Sequence, residues 1–333
     1  MIHQLSRATT YIQTYIIHPE TGQQIQLSYA TGFFIRASQT LLLVTNWHVV
    51  TGLDPAAPSV MGSNRTPPHL LKVTVVSNSG GLIELTLPLY NAAMEPLWEE
   101  HPAGGDVDIV IYRLPITLEN HFEFVDIHSA EDDTHINEAV AKDVFILGYP
   151  FSREDMIETF GDDAPYFLPV WKRGSIATEP ALRLGGRVLL IDSLSRAGMS
   201  GAPVLIAQDE KRIGAGNNAN NDLFKQMLGG NIGALDAFAG LDTQALTNET
   251  EKCFKFLGVY SGTIGSTRLA EVALGKCWHV ETLRELTASA RNGEMPFHAP
   301  IPNAHYEAFF SQFVAGELIR KNVDGEVIDR VSI

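Results

Sequence analysis

Short apolar segments separated by turn-forming residues run through most of the chain. Most of them are four to seven residues long, are rich in Val, Ile, Leu, Phe and Thr, and are bounded by Gly, Pro, Asn, Asp or Ser. This pattern is typical of the strands and turns of an all-β protein. The strands predicted in this way cover residues 24–29, 33–35, 41–45, 71–76, 82–87, 109–114, 144–147, 188–191 and 254–260.

Helical periodicity is found mainly near the C-terminal end. Apolar residues recur at three- and four-residue steps in 279–291 and in 305–321, which predicts two helices. Gly185 and Gly186 lie between two apolar segments and predict a two-residue hairpin turn. A mainly-β chain that ends in helices favours two small barrels or sandwiches that pack together and are braced by a helix.

The chain is predicted to consist of two strand-rich halves and a C-terminal extension. Residues 128–138 are acidic and poor in apolar side chains. They form the predicted linker between an N-terminal domain at 1–127 and a second domain at 139–280. Residues 281–333 form a predicted helical extension, because the late helical pattern falls there.

The second domain contains a long predicted insertion at residues 208–252. A connection of this length inside a domain is usually a functional lid or a flexible segment. Its stretch 214–222 is rich in Asn and Gly and is predicted to be a surface loop.

The composition is that of a globular protein with an acidic charge balance. Hydrophobic residues make up 45% and charged residues 19% of the 333 residues, which is enough for a sizeable core. The formal net charge is −15. This is the wrong sign for a nucleic acid or an anionic membrane surface, so neither is expected as a partner.

Cysteine and histidine usage limits the possible functions further. The two cysteines, Cys253 and Cys277, argue against a framework of disulfides, although they leave a single bridge open. No signal-peptide pattern and no run of ~20 apolar residues is found, so we expect a soluble, cytoplasmic, bacterial protein. The chain has no His-x-x-x-His or Cys-x-x-Cys spacing, and no metal or other cofactor is expected.

Two motifs place an ionisable side chain at the end of an apolar strand. Residues 41–50 read LLLVTNWHVV and deliver His48 where a strand ends, which is a rigid position for a general base. Residues 106–114 read DVDIVIYRL, and Asp108 opens their apolar run. A carboxylate there is placed to orient an imidazole by accepting its hydrogen bond. Asp106 is the nearest alternative to Asp108.

A third motif, AGMSGAPV at residues 197–204, is a Gly-x-Ser-Gly turn that leads into an apolar strand and contains Ser200. Each motif alone has a structural explanation, since such turns are common, and single His and Asp residues beside strands often cap turns. All three in the order His, Asp, Ser, each with an apolar strand, favour a catalytic triad.

These residues resemble the trypsin-like serine peptidases, and most closely the bacterial DegP/HtrA-like branch, which typically has Thr-Asn-x-His-Val-Val at its histidine. Residues 45–50 match that pattern, residues 31–35 (TGFFI) match the strand before it, and residues 256–262 (FLGVYSG) match the strand lining the substrate cleft. The resemblance implies a chymotrypsin-like fold of two six-stranded antiparallel β-barrels with C-terminal helices. His48 and Asp108 would lie in the first barrel and Ser200 in the second.

The resemblance also implies a role for each residue. Ser200 would be the nucleophile, His48 the base and Asp108 the group that orients His48. The backbone N–H groups of Gly198 and Ser200 would form the oxyanion hole. Met199 stands where pancreatic relatives have an activating Asp, so activation through a new N-terminus is not expected.

The expected partner is a protein or peptide substrate, and the oligomeric state stays open. The leading hypothesis is therefore an endopeptidase that acts through an acyl-enzyme intermediate. The alternative is a latent or non-enzymatic protein-binding module on a protease scaffold. The 71 residues after Gly262 are too few and too helical in pattern for a PDZ domain of about 90 residues, so peptide capture of the DegP/HtrA type is not predicted.

The resemblance assigns the specificity pocket to two segments. Leu194 would form its floor, Ser195 beside it would also bind substrate, and Tyr260, Ser261 and Gly262 would form its wall. A Leu at the floor offers no partner to a Lys or Arg side chain, so cleavage after small or medium apolar residues is predicted. Arg196 is the alternative determinant, and it would instead favour acidic residues.

Overall fold

The computed structural model describes most of the chain. The described residues are 3–37, 40–55, 66–76, 82–115, 122, 125–130, 136–152, 155, 168–193, 196–214, 217–263, 274–295, 303–314, 317–321 and 327–332. By the contacts between its residues, the chain divides into two compact units. One combines Met1–Ile206 with Lys255–Ile333, and the other is Ala207–Phe254.

Strands dominate the described part of the chain. They are β1 (Thr9–Ile17), β2 (Gln24–Ala37), β3 (Thr40–Thr45), β4 (Leu70–Val76), β5 (Leu82–Pro88), β6 (Trp98–Glu100), β7 (Val110–Pro115), β8 (Asp143–Gly148), β9 (Val170–Ile176), β10 (Val188–Asp192), β11 (Pro203–Gly214), β12 (Thr247–Thr263), β13 (Leu274–His279), β14 (Arg291–Asn292), β15 (Glu317–Lys321) and β16 (Val327–Ser332).

The N-terminal sheet has ten strands in the order β14-β6-β7-β3-β2-β1-β4-β5-β15-β16. Each apolar segment places alternate side chains in one core, which is why β4 and β5 show alternating burial. The buried cluster includes large side chains such as Trp47, Tyr90 and Trp98. The sheet exceeds the six strands expected. The N-terminal part of the chain contributes seven strands to it, and β14, β15 and β16 from the C-terminal part pair at its two ends.

The second sheet is a closed barrel of six strands in the order β10-β13-β12-β11-β8-β9. A hairpin turn lies before β10 as predicted, and Gly185 and Gly186 have positive φ values, 58° and 76°. Its loop has three residues, 185–187, and not the two predicted, because the bridge across it joins Leu184 to Val188. The all-β, chymotrypsin-like fold class with accessory helices is therefore confirmed.

The described residues form five α-helices, namely α1 (Trp47–Thr51), α2 (Asn218–Leu228), α3 (Ala234–Gly240), α4 (Val280–Ser289) and α5 (Ala304–Val314). None of the helices in this part of the chain is long and apolar enough to cross a lipid bilayer. Three short 3-10 turns accompany them at Gln4–Arg7, Gly104–Asp106 and Ile127–Ala130.

One helix prediction and one loop prediction were wrong in part. The helix predicted at 305–321 ends at Val314, and residues 317–321 form β15, which pairs with β5. The stretch 214–222, predicted to be a loop, contains the start of α2, because the side chain of Asn217 accepts a hydrogen bond from the Asn220 amide and caps the helix.

Candidate active site

His48 lies in the first turn of α1, directly after β3. Asn46 precedes the helix in an extended conformation, and its side-chain amide donates to the backbone oxygen of Asp108 at 2.7 Å. Gly52 ends the helix with a φ of 70°, which a glycine adopts without strain. The short helix therefore fixes His48 against the start of β7, where Asp108 lies.

Asp108 is 1% exposed and accepts hydrogen bonds from two neighbours. Its Oδ1 accepts from the backbone N–H of His48 at 2.9 Å, and its Oδ2 lies 2.8 Å from His48 Nδ1. The hydroxyl of Ser261 also donates to Oδ2. Because a carboxylate accepts from Nδ1–H, His48 is held in the tautomer whose Nε2 lone pair is available.

Ser200 lies on the other side of the imidazole. Its Oγ is 2.9 Å from His48 Nε2, so the three side chains form one continuous chain of hydrogen bonds. The Ser200 backbone oxygen accepts from the Thr31 amide at 2.8 Å, and the Gly201 amide donates to the Tyr260 oxygen at 2.9 Å. These bonds fix the turn between strands of both sheets.

Two glycines give this turn its shape. Gly198 and Gly201 have φ values of 86° and 83°, in the region that side chains rarely adopt. A Cβ at Gly198 would lie 2.0 Å from the Tyr149 oxygen, and one at Gly201 would lie 2.1 Å from the Thr31 oxygen. Any side chain at either position would displace the turn that carries Ser200.

Thr31 connects the turn to the N-terminal sheet, a role that was not predicted for it. Its hydroxyl donates to the Gly198 oxygen at 2.7 Å and accepts from the Tyr149 amide at 3.1 Å. Thr45, at the end of β3, donates to the Thr31 oxygen at 2.9 Å. Thr31 and Thr45 both lie in sequence motifs that precede His48. Their place in these motifs is the only feature of the sequence that points to their support of the Ser200 turn.

Asp106, the alternative acid, lies apart from this arrangement. It is exposed, at the end of the 3-10 turn Gly104–Asp106, whereas Asp108 is buried beside His48. The structure thus brings together His48, Asp108 and Ser200.

A second polar cluster supports the helix that carries His48. The indole N–H of Trp47 donates to Glu100 at 3.1 Å, and Arg291 donates to the other carboxylate oxygen at 2.7 Å. Burial raises the pKa of Glu100, and the hydrogen bond and charge of Arg291 oppose that rise. Sequence reasoning missed this cluster because β6 and β14 meet only in the folded sheet.

The predicted specificity pocket is described only in part. Leu194 and Ser195 lie outside the described residues. Tyr260 is buried, and its ring lies against Gly275, where a Cβ would be 2.4 Å from Tyr260 Cε2. Arg196 is exposed, with its guanidinium 5.8 Å from the centre of the Phe151 ring.

A cleft of about 370 Å³ opens at the three central side chains. Ser261, Gly262, Thr263 and Lys276 of the barrel line it, as do Leu27 and Ser28 of β2. His48 keeps 28% of its side chain exposed to this space, whereas the Asp108 side chain, which also lines it, is 1% exposed. A peptide in the cleft can therefore contact Ser200 and His48 without disturbing their support.

Within the described ranges, no group of three or more His, Cys, Asp or Glu side chains is arranged to hold a metal ion. Cys253 and Cys277 are buried thiols, and burial raises the pKa of the Cys277 thiol.

Comparison with known proteins gives one positive finding. The family model of the trypsin-like peptidase domain matches residues 30–214, which is more than half of the chain and includes His48, Asp108 and Ser200. A search of curated proteins found no significant match.

Proposed function

We propose that this chain, which belongs to the trypsin-like peptidase domain family, is a serine endopeptidase that hydrolyses peptide bonds of protein substrates. The observation that carries the proposal is the hydrogen-bond chain from Asp108 through His48 to Ser200. Its 2.8 Å and 2.9 Å contacts end at the cleft. A nucleophile and a base in contact, with the base oriented by a third group, form the arrangement that activates a serine hydroxyl.

The proposed reaction begins when Ser200 Oγ attacks the carbonyl carbon of the scissile peptide bond. His48 Nε2 takes the hydroxyl proton, and the carbonyl oxygen becomes an oxyanion that the amides of Gly198 and Ser200 stabilise. When the C–N bond breaks, His48 returns the proton to the leaving amine, and the acyl group remains on Ser200 as an ester. Water, deprotonated by His48, then hydrolyses the ester and releases the carboxylic acid product.

Buried Asp108 contributes without being consumed. Its carboxylate stabilises the imidazolium that forms when His48 holds the proton, and it keeps Nε2 directed at Ser200. The Ser261 hydroxyl and the His48 backbone amide satisfy the carboxylate, so its charge is tolerated in a buried site.

The finer assignments remain predictions. They are a preference for small or medium apolar residues before the scissile bond, membership of the DegP/HtrA-like branch, bacterial origin and a cytoplasmic location. The open cleft beside Gly262 is compatible with an extended peptide, which would follow the β12 backbone.

The test is hydrolysis of denatured casein by purified wild-type protein and by Ser200→Ala. We expect the wild type to produce peptides and Ser200→Ala to lose more than about 10³-fold in kcat/KM, with an unchanged circular dichroism spectrum. The variant, purified in the same way, also controls for contaminating proteases. A folded wild type that cleaves no faster than Ser200→Ala would favour the alternative, a latent or non-enzymatic binding module.

A further inference from the structure

Lys276 places a positive charge at one end of the cleft. It lies in β13 between Gly275 and Cys277, which are both buried, whereas Lys276 is half-buried. Because side chains alternate across a strand, Lys276 points to the face opposite Cys277, away from the barrel interior. That face adjoins the cleft, since Lys276 lines it together with Ser261.

The neighbouring strand leaves this charge uncovered. The pairing of β12 with β13 is irregular between Tyr260 and Thr263, so Ser261 and Gly262 bulge opposite Lys276. Gly262 has no side chain, its φ is 72°, and a Cβ built there would have no atom within 4 Å. A side chain at residue 262 would extend into open space, so this glycine leaves the cleft open beside Ser261.

Two other charged side chains that line the cleft are acidic. Asp108 is buried and bound to His48 and Ser261, and Asp54 lies in the segment that follows α1. Lys276 forms no ion pair within 4.0 Å in the part of the chain that the structure describes. A lysine in this setting buries its aliphatic stem and leaves its ammonium group available.

We propose that Lys276 binds a carboxylate side chain of the substrate, so that the protein prefers peptides with Asp or Glu at one position close to the scissile bond. This inference rests on the proposed function, because it places the substrate in the same cleft. The predicted apolar preference rests on Leu194, whereas this charge preference rests on Lys276 beside Ser261 and Gly262. A lysine meets the carboxylate as a point charge and so selects charge rather than shape.

The test uses acetylated hexapeptides in which a single Glu, or a matched Gln, is moved through the positions of an alanine host. For wild-type protein we expect a ratio of kcat/KM for the Glu peptide over the Gln peptide of about five at one position, which is typical of a partly exposed ion pair. Lys276→Met should bring this ratio close to one, and Lys276→Glu should bring it below one. Lys142→Met, a change in the same barrel away from the cleft, should leave the ratio unchanged.

A binding measurement separates this inference from the proposed activity. Fluorescein-labelled Glu and Gln peptides are titrated into Ser200→Ala and followed by fluorescence anisotropy. Tighter binding of the Glu peptide that disappears in Ser200→Ala with Lys276→Met supports the role of Lys276, even if the wild type hydrolyses nothing. Equal binding of the two peptides at all positions, or a Glu preference that Lys276→Met retains, would overturn it.

Discussion

Two aspartates in one short segment have different environments, although they are only two residues apart. Asp108 is 1% exposed and bound to His48, whereas Asp106 is exposed at the end of a 3-10 turn. An exposed carboxylate is solvated by water and holds no neighbour in place, while a buried one constrains every group that donates to it. The two positions therefore provide a matched pair of substitutions.

Asp108→Asn should lower kcat/KM by about 10³- to 10⁴-fold, because the amide favours the wrong His48 tautomer while it preserves the shape of the side chain. Asp106→Asn should change it by less than about twofold, as expected for a surface substitution. Initial rates of peptide hydrolysis measure both effects. If Asp106→Asn were inactive and Asp108→Asn remained active, Asp106 would be the acid of the triad, and the assignment to Asp108 would be wrong.

The site residues that could be predicted from the sequence are those with an informative local pattern around them. His48, Asp108 and Ser200 each adjoin an apolar strand, so local pattern was enough to propose them. The support from Thr31 to Gly198 and from Glu100 to Trp47 joins residues that are far apart in the chain. No local pattern specifies such contacts, and even Ser261, predicted in a pocket wall, directs its hydroxyl to Asp108.

The turn that carries Ser200 is the element whose geometry activity depends on most. Gly198 and Gly186 both have positive φ, but only Gly198 is crowded: a Cβ there would be 2.0 Å from the Tyr149 oxygen, whereas one at Gly186 would meet nothing within 4 Å. Alanine at Gly186 therefore introduces backbone strain alone. Alanine at Gly198 also forces the turn to move.

Gly198→Ala should lower kcat/KM by at least about 100-fold, the loss expected when one oxyanion donor is displaced. Gly186→Ala should cost about 1 kcal/mol of stability through backbone strain. It should leave kcat/KM nearly unchanged, because the hairpin lies outside the cleft. Steady-state kinetics and urea unfolding of both variants measure these effects. Full activity in Gly198→Ala would show that the turn tolerates displacement.

Element boundaries show where sequence patterns stop being informative. Residues 315–321 continue an apolar period of helical type, yet residues 317–321 form a strand, because β5 offers a free edge for pairing. That edge comes from residues more than 200 positions earlier in the chain. In the insertion, a local hydrogen bond determines the structure. The Asn and Gly content of the stretch favours a loop, but the Asn217 side chain caps a helix there.

Across the described part of the molecule, buried His69 and half-buried Glu138 both make the stability depend on pH. Burial lowers the pKa of His69 to about 4, and its Nδ1 accepts from the Ile17 amide. The hydrogen bond from His279, together with the charges of His279 and Lys255, lowers the pKa of Glu138 to about 2 against the effect of burial. In both cases the unfolded chain binds the proton more readily, so stability falls as the pH falls.

The two groups act in different pH windows. The contribution of His69 is lost between about pH 6.5 and pH 4, and that of Glu138 between about pH 4.5 and pH 2. Each shift corresponds to roughly 3 kcal/mol at most. Urea unfolding of Ser200→Ala, which cannot digest itself, should show both losses.

Substitutions assign each loss to its group. In the Ser200→Ala background, His69→Asn should reduce the pH dependence of the unfolding free energy in the upper window. Glu138→Gln should reduce it in the lower window, because each substitution removes a titrating group. Unfolding free energies are measured from pH 3 to pH 8 in each background. A pH dependence identical to that of the parent in both variants would contradict these assignments.

Labelling with a fluorophosphonate under native conditions reports whether His48 activates Ser200 as a nucleophile, and mass spectrometry maps the adduct. We expect one phosphonyl group, on Ser200, in the wild type and none in Ser200→Ala, and we expect labelling of His48→Ala to be slower by about 10³-fold or more. A folded wild type that is not labelled, an adduct on another residue, or equal rates for wild type and His48→Ala would contradict this activation of Ser200.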